Sequence, residues 1–387
     1  MYNPINLSII IPFYNVQKYI AQCIQSVIAQ KDEDIEVLLI DDCGQDNSSQ
    51  IVEQFAQKDK RIRIIGYDQN IGAGGARNVG LKEALGKYIW FVDSDDKIQD
   101  GCLSKIICIL QQLEVDVFLF DSLRIYENYG YNSLFYYMGD KSTLDCRVVD
   151  SPFGNDILVF DSKEQIDILL KQIAPEFGGA TTLIFRKEFL IKNNLKFVQR
   201  ILYEDIVVFL WLTLCTKIVY YKDEPYYHYR IRTNSIMTQK IIDNMYINNV
   251  HMSKCCLDFV KQHNSPIANY IALCRIFAMI FSRQAIFLRV EKVEIKCSIQ
   301  QALDIINIAK LELVYTQDIV YNALIVAKFG HSQAKKFCSV FCNTNITNCQ
   351  LQKAMLRKMK QDKLRDNIKG MMPKRVIKFL KQRRDKL

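Results

Sequence analysis

Near residue 90 the chain reads Phe91-Val92-Asp93-Ser94-Asp95-Asp96, an apolar run that delivers carboxylates spaced Asp-x-Asp into a turn. Oxygens at that spacing suit a hard divalent cation, which shares its remaining positions with phosphate. Mg²⁺ or Mn²⁺ held there would stabilise charge developing on a diphosphate leaving group. The plainer alternative is that Asp-Ser-Asp-Asp turns the chain and caps the next helix, with Asp96 as the cap. A second acidic pair, Asp41-Asp42, precedes Gly44, where turn chemistry is again the competing account. A third, Glu204-Asp205, opens an apolar stretch, and two carboxylates at a helix N-terminus are favoured by its dipole. Gly72-x-Gly74 resembles a dinucleotide fingerprint, but Arg77 holds the third glycine position and this is not the first strand–helix turn, so a nicotinamide reading is weak.

These groups need elements to position them. Residues 7–11 form a short apolar run ended by Pro12, a buried-strand pattern. Further strands are expected over 35–40, 62–65 and 88–92, with helices over 16–30, from the Asp46–Ser49 caps through Ala56, and over 75–85. Such alternation predicts an α/β fold: a mostly parallel, Rossmann-like sheet with helices on both faces. Ligands of such sheets bind at the carboxyl ends of the strands, and both Asp41 and Asp93 fall at strand ends. A helix over 104–113, strands over 115–120, 182–185 and 218–221, and helices over 164–172 and 206–214 continue the pattern. Residues 126–152, rich in Tyr, Asn, Gly and Asp, read as a loop or small hairpin region. After residue 235 helix follows helix, which divides the chain into 1–235 and an α-helical C-terminal domain over 236–387.

Composition narrows the class. The 387 residues are 49% hydrophobic and 24% charged, a globular balance. Thirteen cysteines, an odd number with no CxxC, argue for free thiols in a reducing compartment and against a disulfide framework or a zinc site. The first residues lack the pattern of a signal peptide, and no apolar stretch spans a bilayer: residues 270–290 carry Arg275, Arg283 and Arg289. The expected location is the cytoplasm. Of the net charge of +9, fourteen basic residues against three Asp over 353–387 contribute +11, leaving about −2 for everything before.

Four ordered segments carry a resemblance: Ser8-Ile9-Ile10-Ile11-Pro12-Phe13-Tyr14-Asn15, Asp41-Asp42-Cys43-Gly44-Gln45-Asp46-Asn47-Ser48, Asn70-Ile71-Gly72-Ala73-Gly74-Gly75-Ala76-Arg77-Asn78-Val79-Gly80, and the Asp93-Ser94-Asp95-Asp96 turn. In this order they make residues 5–235 resemble a family-two inverting glycosyltransferase of the GT-A fold, the group that builds bacterial capsules, lipooligosaccharides and other surface polysaccharides. The resemblance implies a nucleotide-sugar donor, a UDP-sugar such as UDP-Gal, UDP-GalNAc or UDP-GlcNAc, and a glycan or lipid-linked glycan acceptor. It implies that Pro12, Tyr14 and Asn15 line the nucleobase pocket and that Asp42 accepts the uracil imino hydrogen. Arg77 would then reach the diphosphate, Asp93 and Ser94 the ribose or metal, and Asp95 would be the principal ligand of Mn²⁺ or Mg²⁺. From Tyr203-Glu204-Asp205 the resemblance assigns Asp205 as general base, with Glu204 binding acceptor or holding Asp205. Tyr226–Ser235 matches the segment that closes the family's site. Arg232 stands near the place where some relatives have a metal-binding His, which leaves the third metal ligand open and gives Arg232 to the diphosphate. His228 has a secondary place, and Gly178-Gly179-Ala180 is expected to admit the acceptor close to the backbone.

The basic end offers a different outcome. Residues 368–387 alternate basic side chains with Met371, Met372, Val376, Ile377, Phe379 and Leu380, the pattern of an amphipathic helix at a membrane surface. A peripheral enzyme at the cytoplasmic face of the inner membrane would meet a lipid-linked acceptor there. The rival is a catalytically inactive GT-A-like module that uses this tail to hold membrane or nucleic acid. Nucleic acid is disfavoured, because the basic residues are confined to one end without an aromatic platform.

Overall fold

The computed structural model describes residues 5–31, 34–127, 131–135, 146–151, 153, 156–174, 179–201, 204–221, 225–232, 245–263, 265–280 and 331–343. The chain divides into two compact units, one of Met1–Tyr137, Leu144–Leu169 and Gly178–Gln239, the other of Met138–Thr143, Leu170–Phe177 and Lys240–Leu387.

The first unit begins with β1 (Leu7–Phe13), α1 (Ile20–Ile28), β2 (Ile35–Asp41), α2 (Ser48–Ala56), β3 (Ile62–Gly66), α3 (Gly72–Glu83) and β4 (Tyr88–Phe91). There follow β5 (Lys97–Ile98), α4 (Cys102–Gln112), β6 (Val117–Phe120), β7 (Ser122–Tyr126), β8 (Tyr131–Phe135), β9 (Arg147–Asp150), β10 (Asp156–Phe160) and α5 (Lys163–Ile173), whose residues from Leu170 on belong to the second unit. It closes with β11 (Leu183–Arg186), α6 (Lys187–Lys192), α7 (Val208–Trp211), β12 (Ile218–Tyr221) and β13 (Tyr227–Ile231). The main sheet runs β3-β2-β1-β4-β11-β6-β12-β10-β9, and its β3-β2-β1-β4 half is wholly parallel. β11 is antiparallel to both β4 and β6. A smaller sheet, β5-β13-β7-β8, brings Tyr227–Ile231 beside the turn that follows β4.

Period-two side chains sort the central strands between two covered faces. Leu7, Ile9, Ile11 and Phe13 join Ile20, Cys23, Ile24 and Val27 of α1, which recur at helical spacing, in one buried cluster. Ile10 points the other way, onto α3, and does so closely: a Cβ on Gly80 would collide with Ile10 Cγ2. Among the described cysteines none is disulfide-bonded.

Several elements depart from the sequence expectation. Pro12 lies inside β1, not past its end, and is buried. The Ile10 carbonyl accepts Val92 N–H on the β4 side and the Phe13 carbonyl accepts Asp42 N–H on the β2 side. Alternation turns the missing N–H of Pro12 toward β4, past its last paired residue, where no ladder bond is lost. The helix expected from residue 75 starts at Gly72, so the glycines form its first turn. The helix expected over 206–214 is broken into a 3₁₀ turn, the single turn of α7 and another 3₁₀ turn. Residues 126–152 contribute the β7–β8 hairpin and β9.

In the second unit, α8 (Met245–Gln262), α9 (Pro266–Ile280) and α10 (His331–Asn343) are helical. Ser265 caps α9, its Oγ accepting Ala268 N–H at 3.2 Å with Pro266 at the first helical position. Phe277 meets Phe337 and Phe341 edge-on at 6.4 and 5.5 Å. The basic tail lies outside the described residues. No helix among those described is long and apolar enough to cross a membrane.

Candidate active site

The carboxyl ends of β1, β2 and β4 share one edge of the sheet, and the acidic residues gather there. Beyond Phe13 the chain leaves Tyr14 48% exposed, an aromatic face free for stacking. Asn15 takes a left-handed conformation (φ 50°) and its Oδ1 accepts Gln45 N–H at 2.7 Å. Gly44 leaves room for this approach, since a Cβ there would stand 3.0 Å from Asn15 N.

Asp41 and Asp42 divide their labour. Asp41 organises the turn: Oδ1 accepts Cys43 N–H at 3.0 Å and Oδ2 accepts Ser49 Oγ–H at 2.6 Å. Asp42 is buried, and its Oδ1 accepts Ile71 N–H at 2.8 Å, tying the end of β2 to the start of α3. Burial raises the Asp42 pKa, against which the N–H groups of Ile71 and Gly72 pull it down.

After β4, Asp93 to Asp96 form a tight turn closed by Asp96 N–H to the Asp93 carbonyl at 3.0 Å. Asp96 is not a helix cap. Its side chain is 1% exposed, with Oδ2 accepting Tyr227 O–H at 2.5 Å and Oδ1 accepting Arg230 N–H at 2.6 Å. Ser94 is buried in the same turn. Asp95 Oδ2 accepts Nε–H of Arg232 at 2.9 Å and forms an ion pair with its Nη2 at 2.9 Å. Arg232, assigned to a diphosphate by resemblance, is therefore paired with a carboxylate here. Arg232 and Arg230 both lie over the Tyr19 ring, at 5.0 and 5.1 Å.

Arg77 also departs from its expected place. It lies within α3, 5% exposed, and bridges two carboxylates: Nη2 donates to Asp93 Oδ1 at 2.7 Å and Nη1 to Glu204 Oε1. Both prongs of the fork are engaged inside the protein. Desolvation pulls its pKa down, but Asp93, Glu204 and Asp205 more than reverse this, so the guanidinium stays charged.

Glu204 and Asp205 begin the 3₁₀ turn ahead of α7 and point apart, as neighbours on a helical turn must. Glu204 is buried on Arg77, whereas Asp205 faces Gly179, where any Cβ would collide with Asp205 Oδ2. Burial, then the Glu204 charge, push Asp205 up to about 7, partly offset by Arg77. Asp93 also raises it, and the same Asp93 raises Asp95 after burial has done so. The field of Asp93 thus reaches both the expected metal ligand and the expected base. Tyr203 and Gly178 lie outside the described residues. His228, in β13, has its pKa lowered by burial and then by Lys97.

Among the described residues no three His, Cys, Asp or Glu side chains gather as a ligand set. Asp93 and Asp95 are each paired with an arginine, Arg77 and Arg232, so a cation there would compete with those ion pairs. That donor set fits a cation which keeps one or two carboxylates and takes its other ligands from phosphate and water. Sequence reasoning missed Tyr227, Arg230 and Tyr19. Arg230 and Arg232, two apart around a strand end, carried a faint signal, since such residues share a face.

Residues 8–158 match the family described as Glycosyl transferase family 2. That likeness to the family is confined to this N-terminal part of the chain. It is 28% identical over 232 residues to glycosyltransferase GlyG of Streptococcus pneumoniae serotype 4, covering 60% of this chain and 72% of GlyG. It is 26% identical over 275 residues to the minor teichoic acid biosynthesis protein GgaB of Bacillus subtilis, covering 69% of this chain and 28% of that longer one. The crystal structure of residues 1–349 of S. aureus TarS in complex with UDP-GlcNAc superposes with a TM-score of 0.58 at 23% identity, over 86% of this chain and 90% of that one. The fold is accordingly GT-A-like, with the large sheet and flanking helices in place.

Proposed function

We propose that this chain is an inverting glycosyltransferase that moves a hexosyl or N-acetylhexosaminyl group from a UDP-sugar to a hydroxyl of a surface-glycan acceptor. UDP-Gal, UDP-GalNAc and UDP-GlcNAc are the donors to test first. The observation that carries the reading is the gathering of carboxylates from separate segments at one sheet edge, where Arg77 bridges Asp93 and Glu204 and the adjacent Asp205 faces Gly179. Burial and the Glu204 charge raise the Asp205 pKa there. A base works best when its pKa lies near the working pH. Asp205 removes the proton of the acceptor hydroxyl as that oxygen attacks the anomeric carbon. The bond from that carbon to the diphosphate oxygen breaks with its electron pair leaving on the diphosphate, and a single displacement inverts the centre.

Tyr14 offers its exposed ring to the nucleobase and Asp42 a carboxylate to the uracil imino group. A Mn²⁺ or Mg²⁺ ion held by Asp95 and Asp93 would supply positive charge against the departing diphosphate. The complex of TarS with UDP-GlcNAc and the teichoic acid name of GgaB support the donor and acceptor classes. The reading extends to capsule or lipooligosaccharide acceptors on a lipid carrier, reached from the cytoplasmic face of the inner membrane with help from the basic tail.

The test is UDP-sugar turnover with Mn²⁺ in the wild type and in Asp95→Ala and Asp205→Asn. Turnover lost in both variants, with UDP still bound by Asp205→Asn, is the expected result. Donor binding without turnover in the wild type would favour an inactive module instead.

A further inference from the structure

We infer that Arg77 and Glu204 are positioning residues that lock the base-bearing turn to the donor-side carboxylate Asp93. The inference rests on the glycosyltransferase reading, because it assigns the base to Asp205. Arg77 links the two halves of the acidic edge directly: one prong grips Asp93 after β4 and the other grips Glu204, 127 residues away. Glu204 is 8% exposed and spends its carboxylate on Arg77, so it does not face an acceptor. The guanidinium is further fixed over the Phe197 ring, 5.3 Å from its centroid.

The rest of α3 is shaped for the same purpose. Asn78 clamps the backbone of Phe197 twice, Nδ2–H donating to its carbonyl at 2.8 Å and Oδ1 accepting its N–H at 2.9 Å. Arg200 N–H donates to the Ile71 carbonyl at 3.1 Å. At Gly74 a Cβ would collide with the Val198 carbonyl and stand 3.0 Å from Glu204 Cγ, so that only a glycine lets the turn settle this close. One helix therefore carries the segment ahead of Asp205 along its length, and through Arg77 references it to Asp93. An attacking oxygen must be placed to within a fraction of an ångström of the anomeric carbon, and an error near 1 Å costs on the order of 10²-fold in rate.

Glu204→Gln, Arg77→Lys, Arg77→Met and the double variant Arg77→Met/Glu204→Gln test this with steady-state transfer, UDP calorimetry and thermal unfolding. The expected pattern is a kcat lowered about 10- to 100-fold in Glu204→Gln and Arg77→Met. Acceptor KM and UDP affinity stay within about threefold, Arg77→Lys recovers part of kcat, and the double variant is no worse than the poorer single one. Should Arg77→Met not fold, Glu204→Gln and Arg77→Lys carry the same split between kcat and KM. A raised acceptor KM with unchanged kcat in Glu204→Gln would make Glu204 an acceptor ligand and overturn the inference. Lost UDP affinity with kcat preserved in Arg77→Lys would return Arg77 to the diphosphate, and losses that multiply in the double variant would show two independent roles. A wild type inactive on every UDP-sugar refutes the underlying reading and the inference with it. An active wild type silenced by Asp205→Asn, but lacking the pattern above, refutes the inference alone.

Discussion

Replacing Gly179 by alanine is a single-methyl perturbation with two separable effects. The first is conformational. Gly179 has φ 111° and ψ −167°, a region that essentially only glycine occupies. Forcing alanine into it costs on the order of 1–3 kcal/mol. The second is steric and lands on the proposed base, because the new Cβ would overlap Asp205 Oδ2. The carboxylate must retreat by roughly 1 Å, which corresponds to a loss on the order of 10²-fold in kcat. Nothing in the proposed nucleobase corner at Tyr14, Asn15 and Asp42 touches Gly179 in the described contacts, so UDP affinity is expected to hold. The assay is initial-rate transfer beside UDP calorimetry, with the thermal midpoint falling roughly 2–4 °C per kcal/mol for a unit of this size. A Gly179→Ala variant with wild-type kcat would refute the argument, whatever its stability, since the carboxylate would then be free of the glycine that shapes its place.

Four further outcomes are expected. Because Asp205 is pushed up to about 7, kcat/KM should climb with pH and level off near that value; a limb at the ordinary carboxylate range would contradict the burial argument. The folded state then holds a proton at Asp205 that the unfolded chain releases, so between about pH 4 and 7 the wild type should lose stability relative to Asp205→Asn as pH rises, measured by unfolding midpoints. Tyr227→Phe leaves the buried Asp96 Oδ2 without its phenol and should cost about 1–3 kcal/mol in denaturant unfolding; an unchanged midpoint would mean water replaces the bond. Gly80→Ala drives a methyl into Ile10 Cγ2 at the α3–β1 contact and should cost about 1–3 kcal/mol, with a neutral result showing that the helix can shift outward.

The parts of this molecule legible in the sequence are those governed by local patterns. β1, β2, β3 and β4 announced themselves as short apolar runs, although β1 continues through Pro12, and the placing of Asp93 and Asp95 at a strand end followed from them. β5 has two residues and β9 is largely exposed, so neither leaves a periodic trace. The region over 204–214 is apolar throughout, and that pattern cannot separate a continuous helix from a helix broken by 3₁₀ turns. Asp205 was reached through resemblance, but its surroundings were not. Arg77 meets Glu204 across 127 residues and Tyr227 meets Asp96 across 131, pairings that no local window contains. An arginine beside glycines reads as an anion ligand until the buried carboxylates on either side of it are seen.

The reversed direction of β11 has a consequence for how such an edge can be built. A parallel neighbour of β4 would offer its final residues there, whereas β11 offers its opening ones, so a loop entering a strand stands beside loops leaving others. Gly179 reaches Asp205 by that route. The loop entering β11 thereby sets a glycine against the carboxylate proposed as base, at the same edge as the turns that leave β1, β2 and β4.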